Sequence, residues 1–238
     1  MQPEIANQLL KLNHQFYQTF AEHFSATRQR LQPGVIRVIE AIPHRSSILD
    51  LGCGNGLLAR YLFEHGHTGP YIGVDTSPNL IEIARSQNIP NAQFFVADLT
   101  TSNWDADIPF QTFDFILCFA VLHHIPSHKM RVRLLSEARS QMAKGGRFIH
   151  SNWQFLNSPK LTERIQSWAT IGLDEEVLDE NDFLLDWRRG GNGLRYVHAY
   201  TNMELHTLAQ QTGFQIKGVF VSDGASGDLA VYHIWKPK

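Results

Sequence analysis

Ser47-Ile-Leu-Asp50-Leu-Gly52-Cys53-Gly54-Asn55-Gly56 is a short apolar run that closes on an acid and three glycines at alternate positions. Ser47 to Leu51 reads as a strand, and Leu57 to Phe63 resumes with the period of an amphipathic helix. Glycines between them let the backbone turn sharply and approach a ligand with no Cβ in the way. Phosphate loops and dinucleotide sites also place a glycine-rich turn there. No Gly-Lys-Ser/Thr follows, which argues against a P-loop. A dinucleotide site leaves its helix N-terminus to a pyrophosphate, whereas an acid opening the turn suits a ligand with positive charge, such as an amino group or a sulfonium.

Further strands lie on both sides of this turn. Tyr71 to Val74 is a short strand ending at Asp75, followed by a helix with Ser77 as N-cap and Pro78 as its first residue. Gln93 to Ala97 is a third strand, ending at Asp98; Phe113 to Phe119 is a fourth and Arg147 to Ser151 a fifth. Helices alternate with them, including Lys129 to Ala143, so the expected class is α/β with a Rossmann-like, doubly wound, mostly parallel sheet. Upstream, Ile5, Leu9, Leu12, Phe16 and Phe20 put one apolar face on an N-terminal helix, and Pro33 to Ile42 reads as a second helix. Downstream the reading gives a helix over Pro159 to Ala169, an acidic stretch from Asp174 to Asp182 and a glycine-bearing loop from Arg188 to Gly193. A last helix over Asn202 to Thr212 precedes two strands, Phe214 to Val221 and Leu229 to Trp235, which the short turn between them pairs antiparallel. No repeat or linker divides the 238 residues, so one domain is expected.

With 43% hydrophobic residues the chain can bury a large core. A formal net charge of −2 gives no global field for nucleic acid, so such a partner would meet a local patch. Cys53 and Cys118 stand alone, against a disulfide framework or a cysteine zinc site. No apolar run reaches a membrane span and no signal segment follows Met1, so a cytoplasmic enzyme is expected.

One acid at a strand end is an ordinary helix cap; three in register beside a glycine turn are harder to read that way. Asp50, Asp75 and Asp98 with Gly52, Gly54 and Gly56 resemble the class I S-adenosylmethionine-dependent methyltransferases from about Ser47 to Trp235. The resemblance implies a seven-stranded sheet with an antiparallel last strand and S-adenosyl-L-methionine as cofactor. It implies that Gly52, Gly54 and Gly56 shape the cofactor pocket, that Asp50 orients the methionine amine, Asp75 the ribose and Asp98 the adenine, that Thr76 and Leu99 also bind the cofactor, and that Phe119-Ala120 lies beside the methionine. A nicotinamide dehydrogenase shares the glycines and Asp75 but leaves Asp98 and the antiparallel ending unexplained. On this reading residues 1–45 form a helical cap, 46–151 the cofactor-binding core, 152–200 a substrate-side insertion, and 201–238 the closing helix and strand pair.

A narrower likeness lies outside that core. Phe16-Tyr17, His23-Phe-Ser-Ala-Thr-Arg28, Ala120-Val-Leu-His123-His124-Ile, and Leu194-Arg195-Tyr196-Val197-His198-Ala-Tyr200 are together similar to the tRNA wobble-uridine methyltransferases. Those enzymes esterify the carboxylate of 5-carboxymethyluridine. The likeness implies tRNA as partner, with Tyr17, Thr27 and Arg28 over the cofactor. The segment between Trp153 and Arg195 is shorter than in eukaryotic members, and those members act with a small partner subunit, on which this sequence is silent. A small-molecule O- or N-methyltransferase is the alternative.

Methyl transfer to a carboxylate needs no general base, because the nucleophile is ionised at pH 7. It needs placement and exclusion of water. Arginine holds a carboxylate bidentately, which makes Arg195 and His198 candidates for the acceptor anchor. Three residues apart, they face opposite ways in a strand and converge in a turn or helix. An amine or phenol acceptor would require a base, and His123 is first in line.

Each of these residues also has a plainer reading. His123 and His124 could be packed core histidines, Arg195 could pair with the acidic run, and His198 could simply pack on Tyr200. Trp153, Trp168 and Trp187 could stack a base or fill the core. No histidine spacing suggests metal. Lys129, Arg131, Arg133, Arg139, Lys144 and Arg147 against Glu137 give a net +5, read as a solvated helix face or a phosphate-contacting stripe, and the acidic run as a loop turned to solvent.

Overall fold

The sheet order β3-β2-β1-β4-β5-β10-β9 organises the molecule. The computed structural model describes residues 1–27, 30–109, 112–188 and 191–238, with no account of the side chains of 21–27. Its elements are α1 (Pro3–Thr27), α2 (Pro33–Ile39), β1 (Ile48–Leu51), α3 (Leu57–Glu64), β2 (Tyr71–Asp75), α4 (Pro78–Ser86), β3 (Ala92–Val96), β4 (Phe113–Phe119), α5 (His128–Ser140) and β5 (Met142–Trp153). There follow α6 (Pro159–Thr162), β6 (Ile165–Gln166), β7 (Asp182–Trp187), β8 (Gly193–His198), α7 (Asn202–Gln211), β9 (Phe214–Ser222) and β10 (Ala230–Pro237). Strands β1 to β5 pair in parallel, and β10 lies antiparallel between β5 and β9. The seven-stranded doubly wound sheet with its antiparallel last strand is therefore as the sequence implied.

Side-chain alternation divides the core between the sheet's two faces. Leu49 and Leu51 of β1 join the cluster under α5 and α7, while Ile48 joins that under α2, α3 and α4. All four residues of β1 are buried, as expected for a parallel strand covered on both faces. Ser77 caps α4 through its hydroxyl, which accepts from the Leu80 N–H at 3.4 Å. The chain steps outward from β1 to β3 and then returns to β4 beside β1. The C-terminal ends of β1 and β4 thus form the crevice where open α/β sheets take ligands.

Beyond β5 the structure departs from the sequence reading. The helix expected over Pro159 to Ala169 stops at Thr162; Ile165-Gln166 then pairs with β7, and residues 168–171 form a 3₁₀ turn. The spacing of Leu161, Ile165 and Trp168 is helical, yet they serve different clusters. Leu161 and Ile165 pack with Leu185 on one face of a second sheet, and Trp168 with Leu184 on the other. Only a chain that leaves the helix can reach both faces. This sheet, β6-β7-β8, is antiparallel, and β8 packs against α1. Likewise α5 ends at Ser140, before Ala143, because Met142 already pairs with Phe113 at the start of β5.

Candidate active site

Gly52, Gly54 and Gly56 all have positive φ, at +80°, +56° and +78°, so the turn after β1 requires glycine. A Cβ on Gly52 would stand 2.2 Å from Val121 Cγ2, which fixes how closely the turn approaches the segment after β4. The end of β2 holds the turn: Gly52 and Cys53 N–H donate to Val74 O at 2.7 and 2.9 Å, and Gly54 N–H donates to Asp75 Oδ2 at 3.0 Å. Asp75 Oδ1 accepts from Ser77 N–H at 2.9 Å.

Above the turn lies a cavity of about 410 Å³. Its walls include Asp50, Gly52 and Gly54, then Phe119 at the end of β4 with Ala120 after it, and His123, Trp153, Trp187 and Arg195 from the elements beyond. Asp50 is 3% exposed and accepts from the Tyr71 hydroxyl at 2.5 Å. Burial, reinforced by the neighbouring Asp75 charge and opposed by the Tyr71 bond, pushes its carboxyl up to about 7. Ala120 has φ +56°, a left-handed conformation that costs a non-glycine residue energy, and both Ser151 O and Ser151 Oγ hold its N–H at 3.1 Å.

Arg195 is 6% exposed. Its guanidinium carbon lies 4.8 Å from the Trp153 ring centre, 5.5 Å from Phe16 and 5.6 Å from Trp187. These are cation–π distances. Among the described residues no carboxylate pairs with it, and its buried Nε has no hydrogen-bond partner. A buried cation in this state is incomplete without an anion. His123 Nδ1 accepts from Trp153 N–H at 3.4 Å, which puts the proton of the neutral ring on Nε2.

His198 turns away from the cavity. It lies with Arg195 in β8, three residues on, and the alternation of the strand sends the two side chains to opposite faces. Its Nδ1 is 2.7 Å from Asp182 Oδ1 and its Nε2 2.8 Å from both Glu204 oxygens. Arg131, 1% exposed, completes the group: it donates to the Tyr196 hydroxyl at 2.9 Å, to Ile125 O at 2.9 Å and to Glu204 at 3.0 Å. His198 also packs edge-on against Tyr200, 4.7 Å between ring centres. The shared acceptor anchor therefore separates into Arg195 in the cavity and His198 in a buried ionic cluster.

That cluster alters two further expectations. Arg131 leaves the basic stripe for the interior, although Lys129, Arg139, Lys144 and Arg147 are exposed. Asp182 leaves the acidic run for the same interior, whereas Asp174, Glu175, Glu176 and Glu180 face solvent as expected.

Other expected positions fall around the cavity. Asp75 and Thr76 are half-buried behind the turn; Asp98 is exposed, bonded to Thr100 through N–H and hydroxyl at 2.9 and 2.6 Å; Leu99 is buried in the core. None of these four is part of the cavity wall. Tyr17 stands behind it, its hydroxyl 2.7 Å from His124 Nε2. Arg28 lies outside the described residues. Trp168 is a core residue, while Trp153 and Trp187 form cavity wall. Tyr71, Asp223 and Tyr232 were not singled out in the sequence. Asp223 accepts from Gly34 N–H at 2.8 Å and from the Tyr232 hydroxyl at 2.6 Å, tying the start of α2 to the β9–β10 turn. No sequence signal marks that latch, because its partners are 189 residues apart. Among the described residues no group of three His, Cys, Asp or Glu side chains could hold a metal, and no helix is long and apolar enough to cross a membrane.

Residues 23–217 match the family model described as a methyltransferase domain. A protein of Encephalitozoon cuniculi named a putative methyltransferase is 30% identical over 206 residues, covering 85% of this chain and 87% of that one. A tRNA (carboxymethyluridine(34)-5-O)-methyltransferase of Saccharomyces cerevisiae is 34% identical over 142 residues, 59% of this chain and 47% of the yeast protein. The match thus spans about half the length of that relative. In fold, the chain resembles an S-adenosylmethionine-dependent methyltransferase of Clostridium acetobutylicum, with a TM-score of 0.64, 16% identity, and coverage of 93% and 98% of the two chains.

Proposed function

The chain belongs to the methyltransferase-domain family, and we propose that it methylates a carboxylate on a modified wobble uridine of tRNA. It is an S-adenosylmethionine-dependent enzyme, the cofactor being the methyl donor for this family on this fold. The donor set suits that cofactor. A carboxylate buried at Asp50 needs a cation, which the methionine amine provides, and the glycine turn leaves room for a ligand against its backbone. We assign Asp75, at the end of β2, to the ribose side and Asp98, two residues past β3, to the adenine side.

The observation that carries the acceptor assignment is the buried Arg195 guanidinium, which has no carboxylate partner among the described residues and shares its cavity with Asp50. An amine or neutral small molecule would leave that charge uncompensated, whereas an acceptor carboxylate completes it with paired N–H bonds. The name of the yeast relative supports a carboxymethyluridine as the bearer of that carboxylate.

S-adenosylmethionine supplies, when bound, a methyl group on a sulfonium. Asp50 and the glycine turn would hold it, and it would give that methyl to an ionised carboxylate oxygen, the carbon–sulfur bond breaking as the new bond forms. No proton moves, so no residue of this chain acts as a base. Arg195 orients the nucleophile; Trp153, Trp187 and Phe16 exclude water around it; His123, held at Nδ1, lines the approach.

Incubation with labelled cofactor and either total RNA or a small-metabolite extract tests the assignment. Label in the RNA, released by mild alkali as expected of an ester, is the supporting result. Label confined to the metabolite fraction contradicts it.

A further inference from the structure

Asn13 occupies a place in α1 that the apolar seam would give to a hydrophobic residue, between Leu9 and Phe16 at helical spacing. It is 5% exposed. Its carboxamide binds both backbone groups of Tyr196: Oδ1 accepts from the N–H at 2.8 Å and Nδ2 donates to the carbonyl at 3.1 Å. Nδ2 also lies 3.3 Å from His124 O. Since β8 is the rim of the small sheet, the Tyr196 groups that turn away from β7 have no strand to meet, and Asn13 stands in for one. One helical turn on, Tyr17 reaches the His124 ring, whose Nδ1 lies 3.2 Å from the same Tyr196 carbonyl.

Tyr196 follows Arg195 directly. Fixing its peptide groups fixes the height and rotation of β8 where Arg195 projects into the cavity. We propose that Asn13 is a positioning residue for the acceptor site: it holds β8 so that Arg195 meets the acceptor carboxylate, without touching substrate itself. This rests on the carboxylate reading of the cavity given above. A leucine would fill the seam and satisfy neither peptide group, so packing alone gives no reason for an amide here.

The experiment compares the full chain with Asn13→Ala, Asn13→Asp, Arg195→Ala and the Asn13→Ala/Arg195→Ala pair, using an anticodon stem-loop RNA that carries 5-carboxymethyluridine. Asn13→Ala is expected to raise the RNA KM about tenfold or more, as for a displaced binding group, with cofactor Kd unchanged. Asn13→Asp keeps the oxygen that accepts and loses the N–H that donates, so it falls between; it serves if the alanine variant does not fold. In the Arg195→Ala background the change at Asn13 should matter less than about twofold, since its effect passes through the missing guanidinium. An equal loss in both backgrounds, or an unchanged RNA KM, overturns the proposal. Hydrogen exchange separates this from the substrate assignment. If the wild-type protein leaves the RNA unmethylated, the carboxylate reading fails; unchanged protection of the Tyr196 amide in Asn13→Ala then overturns the positioning role as well.

Discussion

Asp50 is held against its own solvation. Its carboxyl titrates near pH 7 in the folded chain because burial penalises the anion, whereas in the unfolded chain it titrates near its ordinary 3.8. With the folded value raised, the folded state binds the extra proton between those limits, so this group lowers stability as pH rises from about 4 to 7. On the proposed assignment, the ammonium of bound cofactor reverses that cost. Asp50→Asn should therefore raise the melting temperature of the ligand-free protein at pH 8 and weaken S-adenosylmethionine binding about ten- to a hundredfold, the loss of a charge-assisted bond. Calorimetry that finds equal affinity removes Asp50 from the cofactor site. Arg195 makes the complementary case. Arg195→Ala should keep cofactor affinity and lose about 2–4 kcal/mol of transfer, and Arg195→Lys should recover only part, because one ammonium cannot make the paired contact. A wild-type transfer rate in Arg195→Ala contradicts the anchor. At this scale the sequence was legible where chemistry is local: an acid, three glycines and a strand end stand within seven residues. The rings around Arg195 come from α1, β5 and β7, distant along the chain, and no spacing could have assembled them.

Strand β8 divides its side chains between two sites. One face presents Arg195 to the cavity, and the other sends Tyr196 and His198 into the cluster with Arg131, Asp182 and Glu204. The Arg-x-x-His spacing left convergence and divergence both open, and only the antiparallel pairing with β7 decided between them. The cluster pins the small sheet to α5 and α7 through ionic groups that must remain matched. Removing Asp182 leaves Arg131 with a weaker set of partners in the interior, so Asp182→Ala should destabilise the fold by about 3–5 kcal/mol. His198→Gln should lower the denaturation midpoint while the folded fraction transfers methyl within a fewfold of wild type. A specific loss of transfer in His198→Gln at unchanged stability would return His198 to the acceptor site. The failed helix over Pro159 to Ala169 has the same origin as this divergence. Its apolar residues serve two faces of a sheet that β7 and β8 create, and local periodicity records neither strand.

The whole molecule brings its middle and its end together in the antiparallel pair β5–β10, where His150 lies opposite His233 with ring centres 5.3 Å apart. Burial lowers both imidazoles, each helped by a neighbouring histidine, and His233 falls to about 4. A histidine whose folded value lies below its ordinary 6.5 contributes stability that is present above 6.5 and is lost as pH falls towards the folded value. Asp50 acts in the opposite sense, so the slope is best read in Asp50→Asn. In that variant the urea midpoint should fall steadily from pH 7 to pH 4, and less steeply when His150 is also changed to Asn; a flat midpoint over that range contradicts the pairing. The parallel core and the antiparallel ending were readable from strand spacing, because turns and apolar runs are local. The way α1 packs on the small sheet was not, because Asn13 and Tyr196 meet across 183 residues.

The proposal is that Asp50 and Arg195, which face one cavity, bring a sulfonium methyl to a carboxylate. Its most direct test is mass spectrometry of nucleosides from a 5-carboxymethyluridine stem-loop RNA after incubation with the full chain and S-adenosylmethionine. The expected result is conversion of the carboxymethyl nucleoside to its methyl ester, reversed by alkali and lost in Arg195→Ala. A methyl group on the base or ribose instead, or equal conversion by Arg195→Ala, would contradict it.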